Sequence, residues 1–134
     1  GIPSVSFNLR HGGSLLIDRN KPNDALVAIE DYATVLNNTN RSTVIFPEGT
    51  RARTGTPKRF RLGGLITLIE NMPDACVLPV TINHSWKLMK WGNFPMMPGV
   101  CVRFTVHEPI PVQSEKASDL AARVEQIIVG NMED

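Results

Sequence analysis

Short apolar runs alternate with segments of helical periodicity along the whole chain. The apolar runs predict strands at 4–9, 14–17, 43–46, 76–82 and 100–107. Apolar residues at helical spacing predict helices over 22–38, 62–70 and 118–129. Because strands that alternate with helices favour parallel pairing, the pattern predicts an α/β fold with a mostly parallel central sheet flanked by helices.

Length and composition limit this fold to one unit. A chain of 134 residues that is 42% hydrophobic and 20% charged is long enough for one domain, so residues 1–134 are predicted to be a single domain. The two cysteines, Cys76 and Cys101, lack the spacing of a zinc site or a redox dithiol. We therefore expect no metal and a reducing compartment. No apolar run reaches the ~18 residues of a transmembrane helix.

Positive charge is concentrated in one segment, although the formal net charge is only +1. The segment 51–61 contains no acidic residue and carries five cations, Arg51, Arg53, Lys58, Arg59 and Arg61. Such a segment attracts phosphate, an anionic membrane surface or nucleic acid, or is simply a solvated loop. Its single aromatic residue, Phe60, is too little for the stacking surface of a single-strand binder, so nucleic acid is not expected as a partner.

The residues 46–51 combine a turn with phosphate-binding chemistry. Pro47 ends the preceding strand, and Gly49 permits a tight turn that brings backbone amides forward. Thr50 adds a hydroxyl, and Arg51 adds a planar fork that suits phosphate oxygens. Glu48 is placed to hold that guanidinium. A generic turn with a surface ion pair remains the alternative on these residues alone.

The same block carries a family resemblance. Phe46-Pro47-Glu48-Gly49-Thr50-Arg51 matches in full the FPEGTR block of the glycerolipid acyltransferases typified by 1-acylglycerol-3-phosphate (lysophosphatidate) acyltransferase. Residues 13–19 resemble the family's G-x-x-x-I-D-R block, and residues 77–80 resemble its V-x-P-V block. Glu108-Pro109-Ile110 is similar to the family's closing turn. The resemblance covers nearly the whole chain.

The family's catalytic motif, N-H-x-x-x-x-D, is not part of this sequence. None of the three histidines, His11, His84 and His107, has an aspartate five positions later, so we predict that all three are structural or surface residues. The resemblance implies a catalytic histidine and aspartate upstream of residue 1. No catalytic residue is then expected within the chain, which would be the carboxyl-terminal part of an acyltransferase domain.

The resemblance also implies a reaction. The upstream histidine acts as general base on the hydroxyl of lysophosphatidate, which attacks an acyl thioester of coenzyme A or acyl carrier protein. No cofactor, metal or covalent acyl-enzyme is required. Phosphate binding is implied for Arg19, Glu48, Gly49, Thr50 and Arg51, and Pro79 would line the thioester or acyl channel. Charge alone adds a basic rim of Arg53, Lys58, Arg59 and Arg61.

The segment from Trp86 to Met97 mixes two tryptophans and three methionines with lysines. This composition suits peripheral contact with a membrane interface and an acyl chain, and the resemblance implies an enzyme at the cytoplasmic face of a membrane. Packing of the same residues over the edge of the sheet is an equally good interpretation.

Several functions remain open at this point. The acceptor is lysophosphatidate or a related lysophospholipid, and glycerol 3-phosphate or a lyso-aminolipid is the alternative within the same class. A non-catalytic module that binds lipid phosphate is the alternative from another class. The sequence encoded upstream would separate an enzyme from a binding module.

Overall fold

The computed structural model describes residues 12–15, 17, 21–49, 56, 58–89 and 97–133. In chain order its elements are α1 (Pro22–Thr39), α2 (Gly63–Asn71), β1 (Cys76–Val77), β2 (Val80–Asn83), a 3₁₀ helix (Ser85–Met89), β3 (Arg103–Val106), β4 (Ile110–Pro111), a second 3₁₀ helix (Val112–Ser114) and α3 (Ala117–Gly130).

The first helix confirms the prediction for 22–38. Pro22 stands in its first turn, where a missing N–H costs nothing. Ile29, Ala33 and Leu36 are buried at helical spacing, which fixes the face that packs inward. Asn40 adopts a left-handed conformation after the last turn, and its N–H donates to the Asn37 carbonyl oxygen.

The helices α1 and α2 pack closely because Gly64 of α2 lies at the contact between them. A Cβ placed on Gly64 would come within 3.1 Å of Cδ1 of Ile29, which is tighter than ordinary contacts allow. The opposite side of α2 presents Leu65 and Ile69 to the core. The glycine therefore sets the spacing of these two helices.

The core lies between α2 and α3. Its buried residues are Leu65, Ile69, Ile110, Val112, Leu120, Ala121 and Val124. Both helices confirm the predictions for 62–70 and 118–129. Gly130 is the last residue of α3 rather than its cap, and Asn131 follows as the cap.

Both ladders in the described residues are antiparallel. The strand β1 pairs with β4, so that Val77 lies opposite Ile110. The strand β2 pairs with β3, so that Ile82 lies opposite Phe104. The predicted mostly parallel sheet is therefore not seen in this part of the chain.

Pro79 divides the strand predicted at 76–82 into β1 and β2, as a residue without an N–H does when it interrupts a ladder. Its side chain is fully buried, and its carbonyl oxygen accepts a 3.0 Å hydrogen bond from the N–H of His107.

The prediction of a buried strand at 43–46 is wrong. The segment forms no ladder with described residues, and its alternate residues Val44 and Phe46 are 79% and 71% exposed. Only Ile45, between them, packs against the core. An apolar run indicates an extended segment but does not show that both of its sides are covered. Residues 14, 15 and 17 also form no strand, and the segment 4–9 lies outside the described residues.

No helix within the described ranges is both long and apolar enough to cross a lipid bilayer.

Candidate functional site

The candidate site is built on a tight turn at residues 46–49. The N–H of Gly49 donates a 3.0 Å hydrogen bond to the carbonyl oxygen of Phe46, which closes a four-residue turn. Gly49 has a φ of 67°, a left-handed conformation that residues with a Cβ rarely adopt. The backbone conformation of the turn therefore explains why residue 49 of the sequence block is a glycine.

The chain returns to this turn at residues 58–61. The N–H of Arg61 donates a 2.8 Å hydrogen bond to the carbonyl oxygen of Pro47. The N–H of Lys58 donates a longer bond of 3.4 Å to Oε2 of Glu48. These two contacts hold the basic stretch beside the turn.

Phe60 anchors the same stretch to the core. Its side chain is only 6% exposed, and its N–H donates a 3.4 Å hydrogen bond to Oε1 of Glu125 in α3. Its neighbours Arg59 and Arg61 are exposed on either side of it. The buried aromatic ring thus fixes a segment in which the side chains of Arg59 and Arg61 are exposed.

The turn and the basic stretch form an open cavity of about 560 Å³, which is lined by Glu48, Lys58, Arg59, Phe60 and Arg61. Three cations and one carboxylate give the lining a net positive charge. Guanidinium and ammonium groups that face one cavity are suited to phosphate, since they make charge-assisted hydrogen bonds with its oxygens. The cavity is therefore an anion-binding candidate.

The predicted site residues fall into three groups. The structure brings Glu48 and Gly49 together with Lys58, Arg59 and Arg61. Pro79 does not line the cavity, and its predicted role in an acyl channel stays a prediction. The remaining residues lie outside the described ones, namely Arg19, Thr50, Arg51 and Arg53.

Two contacts of the site add to what the sequence indicated. The carboxylate of Glu48 accepts the Lys58 N–H. Its expected contact with Arg51 stays a prediction, because Arg51 lies outside the described residues. Glu125 was not predicted at all. It is separated from Phe60 by 65 positions, and nothing in its helical context marks it as a partner of the basic stretch.

Both described histidines contact groups that hold the fold together. Nε2 of His107 lies 2.8 Å from Oγ1 of the buried Thr81. His84 is half-buried, with Nε2 3.9 Å from a carboxylate oxygen of Glu133. His11 lies outside the described residues. The described part of the chain contains no cluster of His, Cys, Asp or Glu able to hold a metal ion.

The ends of the segment 86–97 are attached to the fold. Trp86 is half-buried, and the ammonium of Lys87 lies 5.5 Å from the centre of its ring. The N–H of Met97 donates a 3.2 Å hydrogen bond to the carbonyl oxygen of Leu88. Residues 90–96 lie outside the described ones, so both interpretations of this segment stay open.

Comparison with known proteins gives the family. The model of the family described as Acyltransferase matches residues 1–83, which is more than half of the chain. This chain belongs to the acyltransferase family. The match includes the turn at 46–49 and the basic stretch at 58–61, so the candidate site lies within the family's own region.

Two curated relatives carry the same name. The chain is 26% identical over 132 residues to the 1-acyl-sn-glycerol-3-phosphate acyltransferase of Limnanthes douglasii, covering 94% of this chain and 44% of the relative. It is 33% identical over 72 residues to the enzyme of that name from Cocos nucifera, covering 53% of this chain and 23% of the relative. The chain thus spans less than half the length of either relative.

A solved structure shows the same fold. The crystal structure of PlsC, the 1-acyl-sn-glycerophosphate (LPA) acyltransferase from Thermotoga maritima, superposes with a TM-score of 0.74 at 24% identity. The superposition covers 98% of this chain and 51% of PlsC. This acyltransferase chain therefore shares the fold of about half of that enzyme.

Proposed function

We propose that this chain is the carboxyl-terminal part of an enzyme that acylates lysophosphatidate or a related lysophospholipid. The acyl donor is a thioester of coenzyme A or acyl carrier protein. The observation that carries the proposal is the basic cavity on the turn at 46–49, because it suits the phosphate of such an acceptor. The names of the relatives, which specify 1-acyl-sn-glycerol 3-phosphate, support this acceptor.

In the proposed complex the phosphate lies among Lys58, Arg59 and Arg61. The sequence block adds Thr50 and Arg51 as further donors, and Arg19 as a second cationic contact. Glu48 has a different role, since a carboxylate repels phosphate. It stabilises the stretch that carries the cations by accepting the Lys58 N–H.

The proposed chemistry is a direct transfer. A histidine upstream of residue 1, oriented by an aspartate, removes the proton from the acceptor hydroxyl. The hydroxyl oxygen forms a bond with the thioester carbonyl carbon, the carbon–sulfur bond breaks, and the sulfur leaves as a thiol after protonation. A positioned base of this kind contributes about 10²–10⁴-fold to the rate. The transfer as proposed uses neither a metal nor a cofactor.

We further propose that residues 1–134 belong to one acyltransferase domain whose central sheet is mostly parallel when complete. The enzyme would act at the cytoplasmic face of a membrane, with the segment 86–97 in contact with lipid. The half-buried Trp86 beside Lys87 supports that contact, because this pair combines an amphipathic ring with a cation.

An acyl-transfer assay on two proteins tests the proposal. The complete protein should acylate lysophosphatidate, and glycerol 3-phosphate and a lyso-aminolipid in parallel reactions define the acceptor. The 134-residue chain alone should show no turnover. Lipid-phosphate binding without any acyl transfer by the complete protein would support the non-catalytic module instead. Turnover by the 134-residue chain that is lost in His84→Ala would contradict an upstream base.

A further inference from the structure

In an ordinary half-buried sheet the apolar face is buried and the polar face is exposed. In the β2–β3 ladder the most deeply buried side chains are polar and the most exposed apolar ones face outward. Thr81 and Asn83 are 0% and 3% exposed, although both are polar. Thr81 donates to the carbonyl oxygen of Ile128 at the end of α3, and Asn83 donates to that of Asn131 just beyond it. The polar side chains of β2 are thus buried and face α3, whereas on β3 Thr105 is half-buried and Arg103 is exposed.

The other face of the ladder is apolar and largely uncovered. The register places Val80 opposite Val106 and Ile82 opposite Phe104, so these four side chains share one face. Phe104 and Val106 are each 63% exposed. Leu78, two residues before Val80, is 52% exposed, whereas the intervening Pro79 is fully buried.

A second extended segment shows the same arrangement. Ile45 packs against the core formed by α2 and α3, while Val44 and Phe46 on either side of it are exposed. In both segments, therefore, one side meets the helices and an apolar side points away from them. We call these outward residues the outer face: Val44, Phe46, Leu78, Phe104 and Val106.

Single exposed apolar residues are common on protein surfaces, but a set of bulky ones on extended segments is not. In α/β domains the sheet is covered by helices on both sides, whereas among the described helices only α3 packs on β2, and it does so on one side. The outer face carries no charge and no tryptophan or tyrosine, unlike a surface that lies in a membrane interface. Its composition is that of a protein core.

We propose that the outer face is covered by the segment that precedes residue 1 in the complete acyltransferase chain, an inference that rests on the proposed function. The chain matches only 51% of PlsC and 44% of the Limnanthes relative, so about half of such a protein lies outside it. The proposed catalytic histidine and aspartate place at least part of that half upstream of residue 1. Within the described residues β3 pairs with β2 alone, which leaves its other edge free for a strand of the upstream segment. The occupant would both pair with this edge and bury the apolar side chains.

Thiol labelling of the complete protein tests the coverage directly. In a background where the native cysteines are replaced by serine, Phe104→Cys should react at least roughly tenfold more slowly than Val27→Cys in the folded protein. Val27 on α1 is the matched control, since Val27 and Phe104 are 59% and 63% exposed here and Val27 lies outside the outer face. The two thiols should react at similar rates once the protein is unfolded in urea.

A stability measurement on the complete protein provides the second test. The double variant Phe104→Ser/Val106→Ser should lower its thermal midpoint by on the order of 10 °C, because it places hydroxyls in a buried apolar layer. The control Val27→Ser/Val35→Ser, at two exposed positions of α1, should change the midpoint by only a few degrees.

The other occupants predict different results, each of which would overturn the proposal. Equally fast labelling of Phe104→Cys and Val27→Cys in the folded complete protein would show that no upstream segment covers the face. A dimer of the complete protein that Phe104→Ser/Val106→Ser dissociates would indicate a second copy. Loss of vesicle binding with an unchanged thermal midpoint would indicate a membrane. Acyl-transfer activity is measured separately, so an inactive protein with a protected Phe104→Cys would contradict the proposed function alone.

Discussion

The N–H of Arg61 donates a hydrogen bond of 2.8 Å to the carbonyl oxygen of Pro47. This bond joins the turn at 46–49 to the basic stretch at 58–61, since Pro47 lies in the turn and Arg61 is the last residue of the stretch. The exposed guanidinium of Arg61 is consequently held beside Gly49, with Cδ 3.8 Å from the place where a Cβ of that glycine would lie. The shape and the charge of the cavity therefore both depend on the hydrogen bond between Arg61 and Pro47.

Gly49→Ala should destabilise the protein by about 1–2 kcal/mol, because an L-residue at a φ of 67° is strained even where there is room for its Cβ. Denaturant unfolding measures this loss. The control is Gly130→Ala, at the end of α3, where no atom lies within 4 Å of the new Cβ and φ is not positive. It should be neutral or slightly stabilising. Equal unfolding free energies for the two variants would contradict the strained turn.

Asn83→Ala should cost about 1–3 kcal/mol of unfolding free energy. The buried amide donates to the Asn131 carbonyl oxygen and accepts the N–H of Glu133, so its removal leaves both backbone groups without this partner. The effect should appear in denaturant unfolding and as faster amide exchange at Glu133. Asn37→Ala, which removes one exposed 3.3 Å bond to Asn71, should cost roughly 0.5 kcal/mol or less. Similar losses of unfolding free energy at the two positions would show that the burial of Asn83 does not increase the contribution of its hydrogen bonds to stability.

Changing Trp86 and Trp91 together to serine should weaken binding of the complete protein to anionic vesicles while lowering its thermal midpoint by only a few degrees. The reason is that interfacial tryptophans contribute affinity for lipid, and the half-buried Trp86 packs against the fold with only part of its surface. Vesicle sedimentation and thermal unfolding measure the two quantities, with Val35→Ser on α1 as the control. A large fall in the midpoint with unchanged vesicle binding would favour packing of the segment over the fold.

The helices were predictable from the sequence because their signals are local. Ile29, Ala33 and Leu36 define one face of α1, and Pro22 marks its start, whereas the helix extends to Thr39, one residue beyond the predicted end. The turn at 46–49 was equally predictable, since Pro47 and Gly49 restrict the backbone at their own positions. The glycine's left-handed conformation confirms that interpretation.

What the sequence could not predict is which neighbour covers each side of an extended segment. Val44 and Phe46 resemble the inside of a sheet, but an apolar run carries no information about which neighbour covers it. The burial of Thr81 and Asn83 was not predicted, because it depends on hydrogen-bond partners that α3 and the residues after it supply. Such partners are distant in sequence, as Glu125 is from Phe60, and no local pattern reveals them.

The central claim is that the turn at 46–49 and its basic neighbours bind the phosphate of the acceptor. Charge-assisted hydrogen bonds are worth about 1.5–3 kcal/mol each. Arg51→Ala in the complete enzyme should therefore lower kcat/KM for lysophosphatidate by on the order of 10- to 100-fold or more. Arg51→Lys should recover only part of the activity, since an ammonium cannot reproduce the bidentate fork.

The most direct test compares kcat/KM for lysophosphatidate with that for a monoacylglycerol, which lacks the phosphate, in Arg51→Ala and in two control variants. Arg53→Ala removes a cation of the predicted rim, and Arg41→Ala removes an exposed one just after α1. We predict that Arg51→Ala loses activity toward lysophosphatidate only, that the KM for the thioester changes little, and that both controls retain most of their activity. Full activity of Arg51→Ala, or equal losses at Arg51 and Arg53, would contradict the claim that this site binds the acceptor phosphate.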